Sequence, residues 1–129
     1  MTGDSSMTTD PANARRLVAA ERARIESRLT DLDGAVRGGA DLASQQAGDT
    51  RESGTDVATE AVAMALGDGL RGRLLEADRA ARRIDAGTYG RSVESGVPIP
   101  AARLAADPLA ERTVEEQAAL DARASARST

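Results

Sequence analysis

Apolar side chains recur at helical spacing over two long stretches of the chain. In the first stretch they lie seven, four, three and four residues apart, at Val18, Ile25, Leu29, Leu32 and Val36. In the second stretch they fall at Val62, Leu66, Leu70, Leu74, Ala77, Ala81 and Ile84. Each set forms a narrow stripe along one side of a helix, which is typical of a helix that packs against a single helical partner. The pattern predicts an all-α fold built on two long helices.

Local signals indicate where these helices begin and end. Asp10 followed by Pro11 is typical of a helix start, because the carboxylate caps the first turn and proline fits the first helical position. Thr55 or Asp56 can cap the second helix in the same way. Gly87 can end that helix, since glycine adopts the left-handed conformation that follows a helix C-terminus.

A polar, glycine-containing stretch separates the two stripes, and we interpret it as the turn of an antiparallel coiled-coil hairpin with its tip near residues 48–56. Glycine inside a helix costs about 1 kcal/mol relative to alanine, and both arms carry glycines: Gly34, Gly38, Gly39, Gly67, Gly69 and Gly72. They indicate either a hinge or close backbone approach, or relaxed selection on a marginal coiled coil. The pattern does not choose between these interpretations.

The composition narrows the possible functions. The chain has 129 residues with no Phe, no Trp and one Tyr, which suits a thin helical hairpin better than a sandwich or an α/β sheet. A net charge of −4 argues against direct DNA binding, which depends on a basic surface. Without cysteine or histidine, disulfides, thiol catalysis and the usual general base are excluded. We therefore expect no enzyme and no small-molecule substrate.

We expect neither a membrane-spanning segment nor a signal peptide. No apolar run approaches the roughly 20 residues that span a bilayer. Residues 1–9 are polar, carry no signal-peptide pattern and are expected to be disordered. We expect a cytoplasmic protein without membrane contact.

The segment after the second helix is arranged like a zinc finger that has lost its cysteines. A Gly-Thr-Tyr-Gly turn is followed by Ser92 and Ser95, two residues apart, and then by a Gly-x-Pro-Ile-Pro sequence. A second pair with the same spacing, Thr113 and Glu116, follows further along the chain. Thr113 and Glu116 also match the S/T-x-x-E capping box, in which each residue satisfies a backbone donor at a helix start. This predicts a terminal helix that begins after Thr113.

The region Ile84–Gln117 resembles the TraR/DksA-type zinc fingers, a bacterial family. In that family, Cys-x-x-Cys pairs stand at the positions of Ser92 and Ser95 and of Thr113 and Glu116. The remaining motif positions fall in register: Gly87, Tyr89, Gly90, Gly96, Pro98, Ile99, Pro100, Arg103, Leu104 and Pro108. Hydroxyls are poor zinc ligands, and a single carboxylate cannot hold a structural zinc alone. We therefore predict that the zinc of the family is lost and that the chain has no cofactor.

The resemblance implies a transcriptional regulator whose hairpin enters the secondary channel of RNA polymerase. The tip signature of the family is Asp-x-x-Asp-x-Ala, and here Asp56 and Ala58 match its second half. Ser53 stands where the first aspartate belongs, and Glu52 adjoins it. Alternatively, Asp56 is only a helix cap.

A second interpretation is a degenerate paralogue that acts as a protein-interaction or scaffold module without polymerase contact. The domains expected under both interpretations are a disordered segment at 1–9, a hairpin at 10–86 and a degenerate zinc-finger-like domain with a C-terminal helix at 87–129. In that last domain we expect Tyr89 to anchor packing against the hairpin rather than to bind a ligand.

Overall fold

The computed structural model describes the backbone of residues 10–45 and 53–128, and the side chains of residues 10–38 and 58–127. Within those residues the fold is all-α, with four helices and no strand beyond a single bridge between Arg91 and Pro98. The helices are α1 (Pro11–Gln45), α2 (Ser53–Ala86), α3 (Ala101–Ala106) and α4 (Val114–Ser128). The prediction of a helical hairpin followed by a short C-terminal helix is confirmed.

The predicted start of α1 and the predicted end of α2 are both confirmed in atomic detail. The Asn13 N–H donates to Asp10 Oδ2 at 3.1 Å, as expected for an N-cap carboxylate. At the other end, Gly87 has φ +79°, and the Thr88 N–H donates to the Arg83 carbonyl at 2.9 Å. The Gly87 N–H donates to the Ile84 carbonyl at 3.2 Å, which completes a Schellman motif.

The start of α2 differs from the prediction. Residues 53–55 were assigned to the turn, but α2 already begins at Ser53. Continuing a helix through Gly54 costs only about 1 kcal/mol, and no proline interrupts the segment. Residues 46–52, the rest of the predicted turn, lie outside the described residues.

The chain divides into two compact units. The terminal unit comprises Met1–Glu21 and Glu76–Thr129, and the central unit comprises Arg22–Leu75. In the terminal unit, Arg15 of α1 pairs with Asp85 of α2 at 3.3 Å, so the start of α1 lies beside the end of α2. This is the antiparallel arrangement that the two apolar stripes predict.

The core of the terminal unit is made of small and medium-sized apolar side chains. Each is at most 7% exposed, and they come from α1, α2 and the segment that follows: Ala14, Val18, Ala77, Ala80, Ile84, Tyr89, Ile99, Leu104, Leu109 and Ala110. Ala81, which we placed in the α2 stripe, is exposed, and Ala80 is buried instead.

In the central unit the predicted stripes are only partly buried. Ile25 is 1% exposed, but Val36, Val62 and Leu66 are 45%, 60% and 56% exposed. A stripe with a seven-residue repeat drifts by about 20° per heptad around an α-helix, and residues four apart, such as Val62 and Leu66, drift by about 40° per step. A stripe that starts buried therefore turns toward solvent along the helix. The prediction that these three side chains lie in the hairpin seam is therefore wrong. Among the described residues, no helix is sufficiently long and apolar to cross a membrane.

Candidate functional site: a hydrogen-bonded knuckle and a charge cluster

The structure brings together the four residues that stand at the zinc-ligand positions of the family. Ser95 Oγ donates to Glu116 Oε2 at 2.6 Å and so joins the first pair to the second. The Thr113 N–H donates to Glu116 Oε1 at 2.9 Å, and the Glu116 N–H donates to Thr113 Oγ1 at 3.2 Å. The predicted capping box is therefore confirmed. We call Ser92, Ser95, Thr113 and Glu116 the knuckle cluster.

Ser92 is the buried member of this cluster, with 5% exposure. Its hydroxyl oxygen accepts the N–H groups of Glu94 and Ser95 at 3.1 and 3.2 Å. Its own N–H donates to the Val97 carbonyl at 2.8 Å, and its carbonyl accepts the Gly96 N–H at 3.0 Å. Gly96 has φ +77°, a backbone conformation that side chains other than glycine rarely adopt. The Ser-x-x-Ser segment is thus a tight turn held by its own hydroxyl and backbone groups.

Glu116 is the acceptor on which the knuckle cluster converges. The hydroxyls of Ser92 and Ser95 and the backbone N–H of Thr113 lower the pKa of Glu116 from its ordinary 4.5 to about 2. Hydrogen bonds to the charged form favour that form, so the carboxylate stays ionised except in strong acid.

These residues do not fit a structural zinc ion. Three of the four side chains are hydroxyls, whereas zinc prefers thiolate, imidazole or carboxylate. The fourth, Glu116, already accepts hydrogen bonds at both carboxylate oxygens. In the parts of the chain with described side chains, no three His, Cys, Asp or Glu residues are grouped to hold a metal.

A second cluster, which the sequence analysis missed, is centred on Glu111. Arg79 Nε donates to Glu111 Oε2 at 2.7 Å, and Arg83 Nη1 donates to the same oxygen at 3.1 Å. Arg112 Nη1 lies 3.7 Å from Glu111 Oε1 and its Nε donates to Glu94 at 2.6 Å. We call Arg79, Arg83, Glu111 and Arg112 the charge cluster.

Two members of the charge cluster, Arg83 and Glu111, are largely shielded from solvent, whereas Arg79 is 49% exposed. The side chains of Glu111 and Arg83 are 13% and 12% exposed. Burial alone would raise the pKa of Glu111, but the hydrogen bond from Arg79 and the charges of Arg79 and Arg83 lower it below its ordinary value. Arg83 Nε and Nη2 are buried and have no hydrogen-bond partner. The ionised Glu111 carboxylate is therefore the main compensation for the buried Arg83 guanidinium.

Glu111 also connects α2 to the knuckle through its backbone, because its carbonyl accepts the Val93 N–H at 2.9 Å. Its side-chain partners lie 28 and 32 residues earlier in the chain, and no short motif has such a spacing. The only local signal is that Arg79 and Arg83, four residues apart, share one face of a helix.

Tyr89 is buried, as expected for a packing residue. It is 7% exposed, and its hydroxyl donates to the Pro108 carbonyl at 2.8 Å. Burial raises its pKa, and the nearby charge of Arg83 partly opposes this. Nearby, the Ile99 N–H donates to the Gly90 carbonyl at 2.8 Å, so the Gly-Thr-Tyr-Gly turn and the Pro-Ile-Pro segment are tied together.

Of the predicted tip residues, only Ala58 has a described side chain. Ala58 is exposed on α2. The side chains of Asp56 and Ser53 and the whole of Glu52 lie outside the described residues. Because α2 begins at Ser53, Asp56 stands inside the first turn and not at the position that caps the helix. The interpretation of Asp56 or Thr55 as the N-cap is therefore wrong.

Comparisons with known proteins show the fold of the chain. No protein-family model matches the sequence, and no curated protein matches it. The helical hairpin with its appended knuckle is similar to a solved structure, that of transcription factor DksA2 from Pseudomonas aeruginosa. The TM-score is 0.70 with 24% sequence identity, and the match covers 88% of this chain and 84% of that one.

Proposed function

We propose that this chain regulates transcription by binding RNA polymerase, with the hairpin turn entering the secondary channel. The observation that carries the proposal is the fold, because a protein described as a transcription factor matches it over 88% of this chain. The motif similar to TraR/DksA-type proteins supports it independently, since its four ligand positions, now Ser92, Ser95, Thr113 and Glu116, come together in space.

Asp56 is the residue that we propose to act at the tip. A carboxylate there repels or attracts charged groups in the partner, whereas the small, exposed Ala58 keeps the contact surface narrow. Glu52 adds a second negative charge next to Ser53, where the family has an aspartate. Since Asp56 is in the first turn of α2 and is not its N-cap, removing its charge costs the helix only a few tenths of a kcal/mol. A functional effect of the substitution therefore reports on the partner rather than on folding.

We also propose that the protein works without zinc. The knuckle cluster supplies hydrogen bonds where the family has thiolates. Elemental analysis of protein purified without chelator should find no stoichiometric zinc, and chelator treatment should leave its circular dichroism unchanged. Substituting cysteine at all four positions should create a zinc site if the backbone frame is retained. Stoichiometric zinc in the wild-type protein would contradict the proposal.

The function is tested with purified RNA polymerase, using binding and transcription as separate measurements. Wild-type protein should bind and change initiation. Asp56→Asn should bind with similar affinity but lose the effect on initiation. Asp68→Asn is the matched control, because it removes one carboxylate from the exposed surface of the same helix. Ser53→Asp, which rebuilds the other half of the tip signature, should strengthen the effect.

Each outcome separates the alternatives. If wild-type protein neither binds polymerase nor alters transcription at micromolar concentration, the scaffold interpretation is favoured. If it binds but Asp56→Asn behaves like wild type, the contact lies elsewhere on the hairpin. If Asp56→Asn and Asp68→Asn lose the effect equally, general charge rather than the tip is responsible.

A further inference from the structure

Four glycines in the central unit have open space beside them. At Gly34, Gly38, Gly69 and Gly72, no neighbouring atom lies within 4 Å of the position that a Cβ would occupy. The interpretation of these glycines as points of close backbone approach is therefore wrong. Gly67 is buried, and the atoms nearest to that position belong to the guanidinium of Arg71, from its own helix, with the first at 2.9 Å. A long side chain can move, so Gly67 does not mark helix contact either.

What these glycines do is weaken the helices. Relative to alanine, one glycine lowers the helical equilibrium constant by roughly four- to fivefold. Two of the four lie in α1 and two in α2, and all have negative φ, so alanine would fit without strain. Nothing in the packing of these four positions requires glycine.

Among its described residues, the central unit has few buried apolar side chains to compensate for this weakening. Ile25 is its only large apolar side chain that is fully buried among the described residues, while Met64 and Leu75 are 67% and 59% exposed. The ion pairs Arg37–Asp33 and Arg71–Asp68 connect residues three or four apart in one helix and are mostly exposed. Such pairs contribute little and do not join one helix to another.

We propose that residues 22–38 and 58–75 of the central unit open together while the terminal unit stays folded, and that they become ordered on the surface that the protein binds. Regions with few buried contacts open at a lower free energy than the core of the same protein. A protein whose binding-competent state is only partly populated binds more weakly by that fraction. By weakening both helices, the four glycines determine the fraction of molecules in which the central unit is ordered. The bound surface is that of RNA polymerase, so the proposed ordering on binding rests on the proposed function.

The first test is hydrogen exchange on the full chain, followed by mass spectrometry. In wild-type protein, amides of residues 22–38 and 58–75 should exchange much faster than those of residues 76–86 and 99–110. Replacing Gly34, Gly38, Gly69 and Gly72 together by alanine should slow exchange in the central unit by on the order of a hundredfold, from about fourfold at each site. Exchange in the terminal unit should not change. Uniform exchange in wild-type protein would overturn the proposal.

Gly87→Ala is the matched control. It is the same chemical change at the residue that follows the same helix, but Gly87 has φ +79°, which alanine rarely adopts. This variant should speed exchange around the end of α2 and leave residues 22–38 and 58–75 unchanged. If the quadruple variant gives no slower exchange than wild type, the glycines do not control the opening.

The second test measures the Kd for RNA polymerase. The quadruple variant should bind more tightly than wild type, because its central unit is already ordered before binding. Equal Kd values, together with slower exchange, would overturn the coupling between ordering and binding. If wild-type protein does not bind polymerase, the proposed function and the coupling both fail, and the exchange data alone decide whether the central unit opens separately.

Discussion

The terminal and central units are built from the same two helices but held together in different ways. Of the eleven buried apolar residues in the described part of the chain, ten belong to the terminal unit and only Ile25 belongs to the central unit. The terminal unit also has hydrogen bonds between distant segments, such as those from Tyr89 to Pro108 and from Ser95 to Glu116. The ion pairs described for the central unit join near neighbours along one helix.

The difference shows that a heptad-like stripe does not by itself produce a buried seam between two helices. Both units contain the apolar stripe, but the stripe is well buried only where further chain segments pack around it. Most helical stability in proteins comes from tertiary packing rather than from intrinsic propensity. In this chain the segment that follows α2 supplies the additional packing, with Leu104 and Leu109 at 0% and 1% exposure.

The largest expected effect is a difference in lost stability when a leucine is replaced by alanine in the terminal unit and in the central unit. Leu104→Ala should lower the free energy of unfolding by about 3 kcal/mol, because Leu104 is fully buried and its removal leaves a cavity. Leu66→Ala should change it by less than about 0.5 kcal/mol, because Leu66 is 56% exposed. Urea denaturation followed by circular dichroism measures both. Equal losses would mean that the two units are held by similar packing.

A smaller effect is expected when the charge cluster is disrupted. Glu111→Gln keeps the size of the side chain but leaves the buried Arg83 guanidinium without its counter-charge. We expect the free energy of unfolding to fall by about 2 kcal/mol. Glu115→Gln is the control, since Glu115 is exposed in the first turn of α4, and should cost less than about 0.5 kcal/mol.

The location of the effect matters as much as its size. In Glu111→Gln, hydrogen exchange should accelerate at residues 91–116 and at the end of α2. Exchange at residues 22–38 should not change. If the variant is as stable as wild type, the charge cluster does not hold the terminal unit together.

The smallest expected effect is a pH dependence of the folding stability, which is caused by Glu116 of the knuckle cluster. The pKa of Glu116 is about 2 in the folded protein against an ordinary 4.5, so folding favours the ionised carboxylate. Its contribution to stability is complete above pH 4.5 and is lost as the pH falls toward about 2. Glu116→Gln does not titrate, and glutamine also fits the capping box.

The stability difference between wild type and Glu116→Gln should therefore be constant near neutral pH and shrink as the solution becomes acidic. Thermal unfolding of both proteins at a series of pH values measures this difference. The titration of all other groups affects both proteins equally and cancels in the comparison. A difference that stays the same in acid would show that Glu116 gains nothing from its hydrogen bonds in the folded state.

Features set by local spacing were predicted correctly from the sequence. The N-cap at Asp10, the left-handed Gly87 and the capping box of Thr113 and Glu116 each depend on residues within a few positions of one another. Their geometry is fixed by backbone hydrogen bonding at a helix end and needs little from the rest of the fold. The pairing of Ser95 with Glu116 is not local, and only the resemblance to a known family pointed to it.

Features that depend on how closely segments approach could not be predicted. The periodicity of α2 placed Val62 and Leu66 inside, because a pattern gives the direction of a stripe but not the distance to its partner. Glu111 was missed because its contacts with Arg79 and Arg83 span 32 and 28 residues. The sequence also suggested that the tip residue Asp56 caps α2. Whether a residue caps a helix depends on where the helix begins, and helix boundaries are the part of a structure that sequence patterns predict least well.

The pairing of Arg15 with Asp85 also determines the order in which the chain can assemble during synthesis. These two residues are 70 positions apart, whereas Tyr89 and Pro108 are 19 apart. At ribosomal rates of about 5–20 residues per second, Arg15 is made roughly 4–14 seconds before its partner exists. The longer loop also costs about 1 kcal/mol more entropy to close. The start of α1, including the apolar Ala14 and Val18, must therefore wait without its partner helix, and during that interval the nascent chain is most open to chaperones and to aggregation.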